Sequence, residues 1–291
     1  MFSRKYCIAG LVLLLESDEM ISSDDEFTEF ESFRTPEYII KFRKVSELPE
    51  IGTDHIAQEM GYCVFNMQDE FIYRFVGIDH MPYAITSLDW NAKNVLVQYL
   101  EKGRENFSHA GGAFFHIRWE EVLLHERRML LHACCVKTQL GGILFSGVSG
   151  VGKSTQGDLW CRYEKAELIN GDRPVLYKKG SVWNAYGSPY AGSSKCHVNE
   201  YTEIRAIIML AQDETCSIRR LAGAEAFRRV FAQTTAESWN SKSIEKVCDL
   251  TERLISDIPV YELSCTPDRD AVDLLKKTLL KGVGMDWQSE K

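Results

Sequence analysis

The sequence has no C-x-x-C pair, no surplus of positive charge, only 7 prolines and no apolar run long enough to cross a bilayer. Each absence excludes a class. The cysteines number nine, an odd count, and Cys134 and Cys135 are adjacent inside an apolar run, which suits neither a disulfide framework nor a zinc site and points to a reducing cytoplasm. A formal net charge of −8 leaves no global positive field for a polyanion, so nucleic acid is not an expected partner. With 45% apolar residues and 20 glycines without period, disorder, collagen and low complexity are excluded as well. The apolar stretch Cys7–Leu15, after Arg4 and Lys5, imitates the charged and apolar regions of a signal peptide. It stops at Glu16 without a small-residue cleavage site and is too short to span a membrane, so it reads as a buried strand, with no membrane partner.

What is present is an apolar content sufficient for one large or two small domains in 291 residues. From Glu16 to Glu31 the chain carries eight acids and no base, interleaved with Phe27 and Phe30 and followed by Phe33. That pattern fits a solvated loop with aromatic anchors, or an acidic docking surface for a basic partner. Runs rich in β-branched and aromatic residues follow at 38–45, 62–66, 71–76, 83–88 and 95–100, with turn-like Gln68-Asp69-Glu70 and Asn91-Ala92-Lys93 between them. Residues 1–112 are therefore expected to form a small β-rich module without catalytic features. The apolar spacing of Trp119, Val122, Leu123 and Met129 predicts a linking helix over about 115–128, opening a second domain over 113–291.

Function begins after that helix. Leu130–Lys137 and Gly142–Phe145 read as a β-hairpin, followed by a loop, a helix over about 153–163 and a strand at 166–169. The loop Gly147-Val148-Ser149-Gly150-Val151-Gly152-Lys153-Ser154-Thr155 satisfies G-x-x-x-x-G-K-[ST]. Phosphate binding needs these residue types because successive backbone N–H groups must converge on one anion, and glycine lets the chain turn there without a Cβ clash. Lys153 adds a charge for the β- and γ-phosphates, the following helix adds its N-terminal partial charge, and Ser154 offers a hydroxyl to Mg²⁺. Beyond the next strand, Asp172 is released into a loop where such sheets bind ligands; it suits a metal ligand or the base that accepts a hydroxyl proton. A turn-stabilising role is the alternative.

The order His132-Ala-Cys-Cys-Val136, hairpin, phosphate loop and Leu168-Ile-Asn-Gly-Asp-Arg-Pro-Val-Leu176 resembles the C-terminal catalytic domain of HPr kinase/phosphorylase and its relatives from peptide-modification gene clusters. The resemblance covers roughly residues 130–210. It implies an α/β fold: a P-loop domain of the HPr-kinase/phosphoenolpyruvate-carboxykinase-like type, preceded by the β-rich module. It also implies that His132 lies near the reacting groups, and that Glu203 and Arg205 of Tyr201-Thr-Glu-Ile-Arg205 serve metal and phosphate. Two features depart from the family. Gly171 stands where the first of two consecutive acids is expected, and the Gly-rich flank of the Glu-x-Arg segment is absent. The N-terminal hundred residues show no match to the family's regulatory domain.

The expected function is ATP- and Mg²⁺-dependent phosphoryl transfer to a hydroxyl, that of a Ser in a peptide or small protein, with a small-molecule acceptor as a variant. Asp172 is then the base, and Ser154, Asp172 and Glu203 the metal ligands. The rival is a nucleotide-binding regulatory or scaffold module without transfer; a nucleoside monophosphate kinase fits less well, because no Arg-rich lid lies between two helices. A Gly/Ser-rich loop over 185–195, with Lys195, is expected to be mobile and to close over the site. Leu221–Phe231 and Ile244–Leu254 read as amphipathic helices, and Thr266-Pro267 as N-cap and first residue of a last one. Arg219, Arg220, Arg228 and Arg229 form a basic face, or supply an arginine finger. A homo-oligomer is left open.

Overall fold

The computed structural model describes residues 1–67 and 70–283, so Gln68 and Asp69 of the expected turn lie outside the described residues. The protein is of mixed α/β class and divides into two compact units, Met1–His125 and Glu126–Lys291.

The first unit is built on an eight-stranded sheet in the order β1-β2-β3-β8-β7-β6-β5-β4. Its strands are β1 (Phe2–Ile8), β2 (Leu11–Ser17), β3 (Tyr38–Lys44), β4 (Ala57–Glu59), β5 (Tyr62–Met67), β6 (Glu70–Val76), β7 (Pro82–Asp89) and β8 (Asn94–Tyr99). Cys7–Leu15 is not one strand: it folds back at Ala9-Gly10, both with positive φ, so that Ile8 pairs with Leu11. Two consecutive left-handed residues make the tight turn whose twist matches paired strands, a local geometry that apolar content alone conceals. In the acidic segment a short α1 (Asp25–Thr28) buries Phe27, and Phe30 is buried beside it, whereas Phe33 is fully exposed.

The expected linking helix is two helices, α2 (Ala110–His116) and α3 (Trp119–His125). Between them Arg118 adopts φ 53°, which no helix interior accommodates. Its guanidinium lies 4.6 Å from the Tyr62 ring centroid, so a cation–π contact holds the break. Met129 belongs to the strand that follows.

The second unit contains β9 (Arg128–Leu130), β10 (Ala133–Thr138), β11 (Gly141–Ser146), α4 (Lys153–Glu164), β12 (Glu167–Asn170), β13 (Val175–Lys179), β14 (Val182–Tyr186), β15 (Tyr201–Gln212), β16 (Ser217–Leu221), α5 (Gly223–Phe231), α6 (Ser241–Asp257), β17 (Val260–Cys265) and α7 (Arg269–Val283). The sheet runs β12-β10-β11-β15-β14-β13-β9, with β17 also beside β15 and β16 beside β17. The run Leu130–Lys137 breaks at Leu131-His132: β9 pairs with β13 and β10 with β11. The last helix starts later than expected. Asp268 rather than Thr266 caps it, its Oδ1 accepting from the Ala271 N–H at 3.2 Å while Thr266 donates to Asp268.

Strand directions decide where chemistry gathers. β11, β15 and β17 are mutually parallel, and β10 is antiparallel to both β11 and β12. The carboxyl ends of β11, β12, β15 and β17 therefore share one edge with the amino end of β10. Buried Phe145, Trp160, Ile208, Leu263 and Leu275 join the sheet to α4 and α7 in one core, which fixes the loops at that edge. Among the described residues no helix is long and apolar enough to cross a membrane.

Candidate functional site

The loop after β11 runs straight into α4. Gly147, Gly150 and Gly152 have φ of 143°, 77° and 107°, conformations that L side chains rarely adopt, and Gly152 is the helix N-cap. Beside Gly150 and Gly152 the space is open to 4 Å, so an anion meets backbone there rather than side chains. Lys153 is buried, and its ammonium donates to the carbonyls of Gly147 at 3.1 Å and Val148 at 3.2 Å, folded back over the loop. Burial holds its pKa below the ordinary lysine range, and the charge of Asp172 opposes that shift. Ser149, Val151, Ser154 and Thr155 complete the loop and the first helical turn.

Facing it, His132 Nε2 and Asp172 Oδ1 are 3.3 Å apart, and Arg173 Nε lies 3.7 Å from Asp172 Oδ2. Backbone pairing sets this meeting: Ala133 N–H donates to Asp172 O at 2.9 Å and His132 N–H to Gln233 O at 2.8 Å. Burial lowers the His132 pKa first, helped by the charges of Lys153 and Arg173 and opposed by Asp172 and a hydrogen bond with Gln233. The imidazole Nε2 stays within charge-contact distance of the Asp172 carboxylate. The interaction of both His132 and Lys153 with Asp172 ties the three groups into one electrostatic unit.

Asn170, fully buried at the end of β12, organises the loop that carries Asp172. Its Oδ1 accepts from Asp172 N–H at 3.0 Å and Arg173 N–H at 2.7 Å, and its Nδ2 donates to the carbonyls of Ser188 at 3.0 Å and Tyr190 at 3.1 Å. Ser188, also buried, donates to Arg173 O at 2.6 Å. The first half of the loop expected to be mobile is thus anchored to the Asp172 loop. Residues 191–194 sit on Gly171 and Asp172: a Cβ on Gly192 would fall 2.8 Å from Asp172 Cβ.

Glu203 is not part of this site. β15 runs parallel to β11 with Ile204 beside Gly142 and Met209 beside Ser146, so Glu203 lies at the far end of the strands from the loop, about 20 Å away at about 3.3 Å per residue. Arg205 is at that end as well, its Nη2 donating to Leu279 O at 3.2 Å. Neither residue shares a metal with Ser154 and Asp172. Arg219 is neutralised by Glu225, at 2.7 and 3.0 Å, and by Glu262 at 2.7 Å, and Arg229 pairs with Glu262.

Two cavities of about 460 Å³ each flank the loop. One is lined by Gly150, Val151, Gly152, Thr155 and Gln156 together with the ends of β15 and β17. The other is lined by Gly147, Val148, Arg228, Arg229 and Gln233, the residue that contacts His132. Triphosphate fits the open glycines and the buried lysine. The donors offered to a metal, the Ser154 hydroxyl and the Asp172 carboxylate, are hard oxygens of the kind Mg²⁺ takes in ones and twos alongside phosphate. Among the described residues no three His, Cys, Asp or Glu side chains form a metal-binding group.

Sequence reasoning passed over Asn170, Gln156 and Gln233. Asn-Gly after an apolar strand signals an Asx-type turn, and Gln156 is a polar residue on the helical face that it shares with the buried Leu159 and Trp160. Gln233 has no comparable signal.

No family model and no curated protein matches the sequence. Among solved structures, the Hpr(Ser) kinase/phosphatase from Coxiella burnetii aligns with 54% of this chain and 91% of its own, at 14% identity and a TM-score of 0.32. A likeness of that degree carries no argument about activity.

Proposed function

We propose that the protein is an ATP- and Mg²⁺-dependent phosphotransferase of the HPr-kinase-like P-loop type, acting on a hydroxyl of a peptide, small protein or small molecule. The observation that carries this reading is the His132–Asp172 pair, 3.3 Å apart, on the strand-end edge that also bears the phosphate loop and Lys153. Bound ATP–Mg²⁺ would supply the phosphoryl group and neutralise its charge.

The chain's own residues account for the rest. Lys153 exchanges the Gly147 and Val148 carbonyls for phosphate oxygens, and the loop amides from Gly150 to Ser154 donate to the same anion. The Ser154 hydroxyl and the Asp172 carboxylate would be the oxygen ligands of the metal. Asp172 also accepts the proton of the attacking hydroxyl, while His132 donates to Oδ1 and orients the carboxylate. Because phosphoryl transfer depends mainly on positioning and charge, this set of residues is sufficient. The cavity at Gly147, Arg228 and Gln233 is the approach for the acceptor. The reading gives all chemistry to the second unit and none to the β-rich first unit.

A second reading, nucleotide binding without transfer, is favoured by one observation: the place of a second acid is taken by Gly171, and Ser194 fills the space beside it. The two are separated by incubating the protein with ATP labelled in its γ-phosphate, Mg²⁺ and a library of serine-containing peptides and small hydroxyl metabolites. Label in an acceptor that disappears with Asp172→Asn supports the transferase; saturable nucleotide binding with no labelled acceptor supports the binding module.

A further inference from the structure

The register of β16 on β17 sets Leu221 opposite Val260 and Ser217 opposite Ser264. One step further, Cys216 falls directly opposite Cys265. Residues directly opposite in an antiparallel pair turn their side chains to the same face, with Cα atoms about 4.5–5.5 Å apart. That separation lies within the range of about 4.4–6.8 Å that a disulfide spans. The two thiols are unbridged and hydrogen-bonded to each other. Cys134 and Cys135, although adjacent, follow one another along β10, so their side chains point to opposite faces of the sheet and offer no such pair.

Their surroundings give the two sulfurs different parts. Cys216 is half-buried and also bonds to the Thr266 backbone. Cys265 is 7% exposed, packs into the core of the second unit and accepts from Gln156 Nε2 at 3.4 Å. Burial raises the pKa of both thiols, that of Cys265 to about 12, and the charges of Asp268 and Asp270 add to the rise at Cys216. Both are therefore protonated at neutral pH, and a first oxidation, which needs the thiolate, is slow. The second step is not slow in the same way. A sulfenic acid on the more accessible Cys216 has the Cys265 thiol already in contact, and a reaction between groups held together outruns attack by a second oxidant molecule from solution.

We propose that Cys216 and Cys265 form a reversible oxidation site, at which a hydroperoxide joins the two sulfurs in a disulfide and closes the chain between them, with β16, α5 and α6, into a covalent loop. The site stands apart from the phosphotransferase reading. The Cys216 sulfur, as thiolate, attacks one oxygen of hydrogen peroxide: an S–O bond forms, the O–O bond breaks, and the departing hydroxide takes up the thiol proton as water. The Cys265 sulfur then attacks the sulfenic sulfur: the S–S bond forms, the S–O bond breaks, and the released hydroxide leaves with the Cys265 proton as a second water. The thiol pair loses two electrons and one peroxide gains them. A dithiol reverses the bond by exchange. Closing the loop restricts the unfolded chain and so braces the folded segment. Gln233, whose carbonyl accepts from His132 N–H, lies inside that segment.

The test is peptide mapping of the full chain, reduced, freed of reductant, treated with rising hydrogen peroxide, alkylated and digested without reductant. The expected product is a cross-linked peptide pair containing Cys216 and Cys265, two hydrogens lighter than its parts and lost on treatment with dithiothreitol. Recovery of both cysteines as alkylated thiols at every peroxide concentration, a bond from either one to another cysteine, or Cys216 carried to the sulfinic acid would each overturn the proposal, and none of these readings needs a variant. In folded Cys265→Ser the partner thiol is missing, so the Cys216 sulfenic acid should persist and be captured by dimedone; no adduct would remove Cys216 as the attacking sulfur. The oxidised parent should unfold at a higher denaturant midpoint than the reduced parent, with no such difference in Cys216→Ser. Equal midpoints in the parent would remove the bracing of α5 and α6.

Discussion

Ser194 occupies the space that a side chain on Gly171 would need: a Cβ built on Gly171 falls 1.9 Å from Ser194 Oγ and 2.4 Å from its Cβ. Real Cβ atoms do not approach that closely, so an acid at 171 and the observed seat of residues 191–194 exclude one another. Gly171→Asp should therefore lower stability by about 1–3 kcal/mol, the scale of overpacking. Adding Ser194→Gly should recover part of the loss, since it removes the two closest side-chain atoms and leaves Ala191 O, at 3.2 Å, as the next nearest backbone atom. Denaturant unfolding of the single and double variants measures this. A single variant as stable as the parent would mean that the loop is not seated on Gly171.

Asp172→Asn keeps size and removes charge and basicity. Nucleotide affinity should hold, while transfer falls by about 10² or more, the usual scale for loss of a general base. His132 Nε2 lies 3.3 Å from that carboxylate, and burial lowers its pKa, so protonation sets in only below the ordinary value of 6.5. Transfer should accordingly decline on the acid side of 6.5, and the decline should be absent in His132→Gln, which can still donate to Asp172 but does not titrate. A pH–rate profile of both proteins decides it. An unchanged acid limb in the variant would assign that limb to another group.

Asn170→Ala removes the side-chain hydrogen bonds that tie the Asp172 loop to Ser188 and Tyr190 and leaves buried backbone groups unpaired, at a cost of about 2 kcal/mol or more. Hydrogen exchange should accelerate at 171–173 and 188–190 and stay unchanged in α4 and β11. Transfer should fall further than ATP affinity, because the base moves and the phosphate loop does not. In the parent protein, exchange over 187–190 should already be slow without ligand, so that any closure is confined to 191–195. Rapid exchange there would restore a lid spanning the whole segment.

In the first unit, buried His116 bonds to Gly112 O through Nδ1 at 2.7 Å and to the Tyr83 hydroxyl through Nε2 at 2.8 Å. Burial is the main cause that pushes its pKa from 6.5 down to about 4. The unfolded chain takes up this proton near 6.5 and the folded chain not until about 4, so stability present above 6.5 is lost as pH falls through that window, by about 3 kcal/mol in total. Denaturant midpoints of the full chain at about pH 7 and about pH 5 should differ, and the difference should shrink in His116→Gln. An equal pH response in the variant would place the titration elsewhere.

Local order was legible in the sequence because its causes are local. The apolar runs of β10 and β11, the glycines that turn the loop after β11 and the start of α4 at Lys153 each depend on neighbours a few positions away. So does the release of Asp172 after a short apolar strand. The hairpin at Ala9-Gly10, the break at Arg118 and the cap at Asp268 escaped because each depends on one backbone conformation or one side-chain bond, while the apolar pattern on either side continues unaltered. Hydrophobic periodicity reports which face is buried, not where the backbone reverses.

What the sequence alone determined is the glycine-rich loop that runs into α4, with the strand that follows the helix, and the candidate acid beyond them. Tertiary structure alone decided which distant residues accompany it. The break at Leu131-His132 and the antiparallel pairing of β10 bring His132 to Asp172, and the register of β15 on β11 sends Glu203 to the opposite end of the sheet. The close approach of Ser194 explains why residue 171 has no side chain, and β17 sets Cys265 beside Gln156 from 109 positions away. Such meetings follow from strand direction and register, which are settled by burial summed over the whole sheet, and no single segment carries that sum.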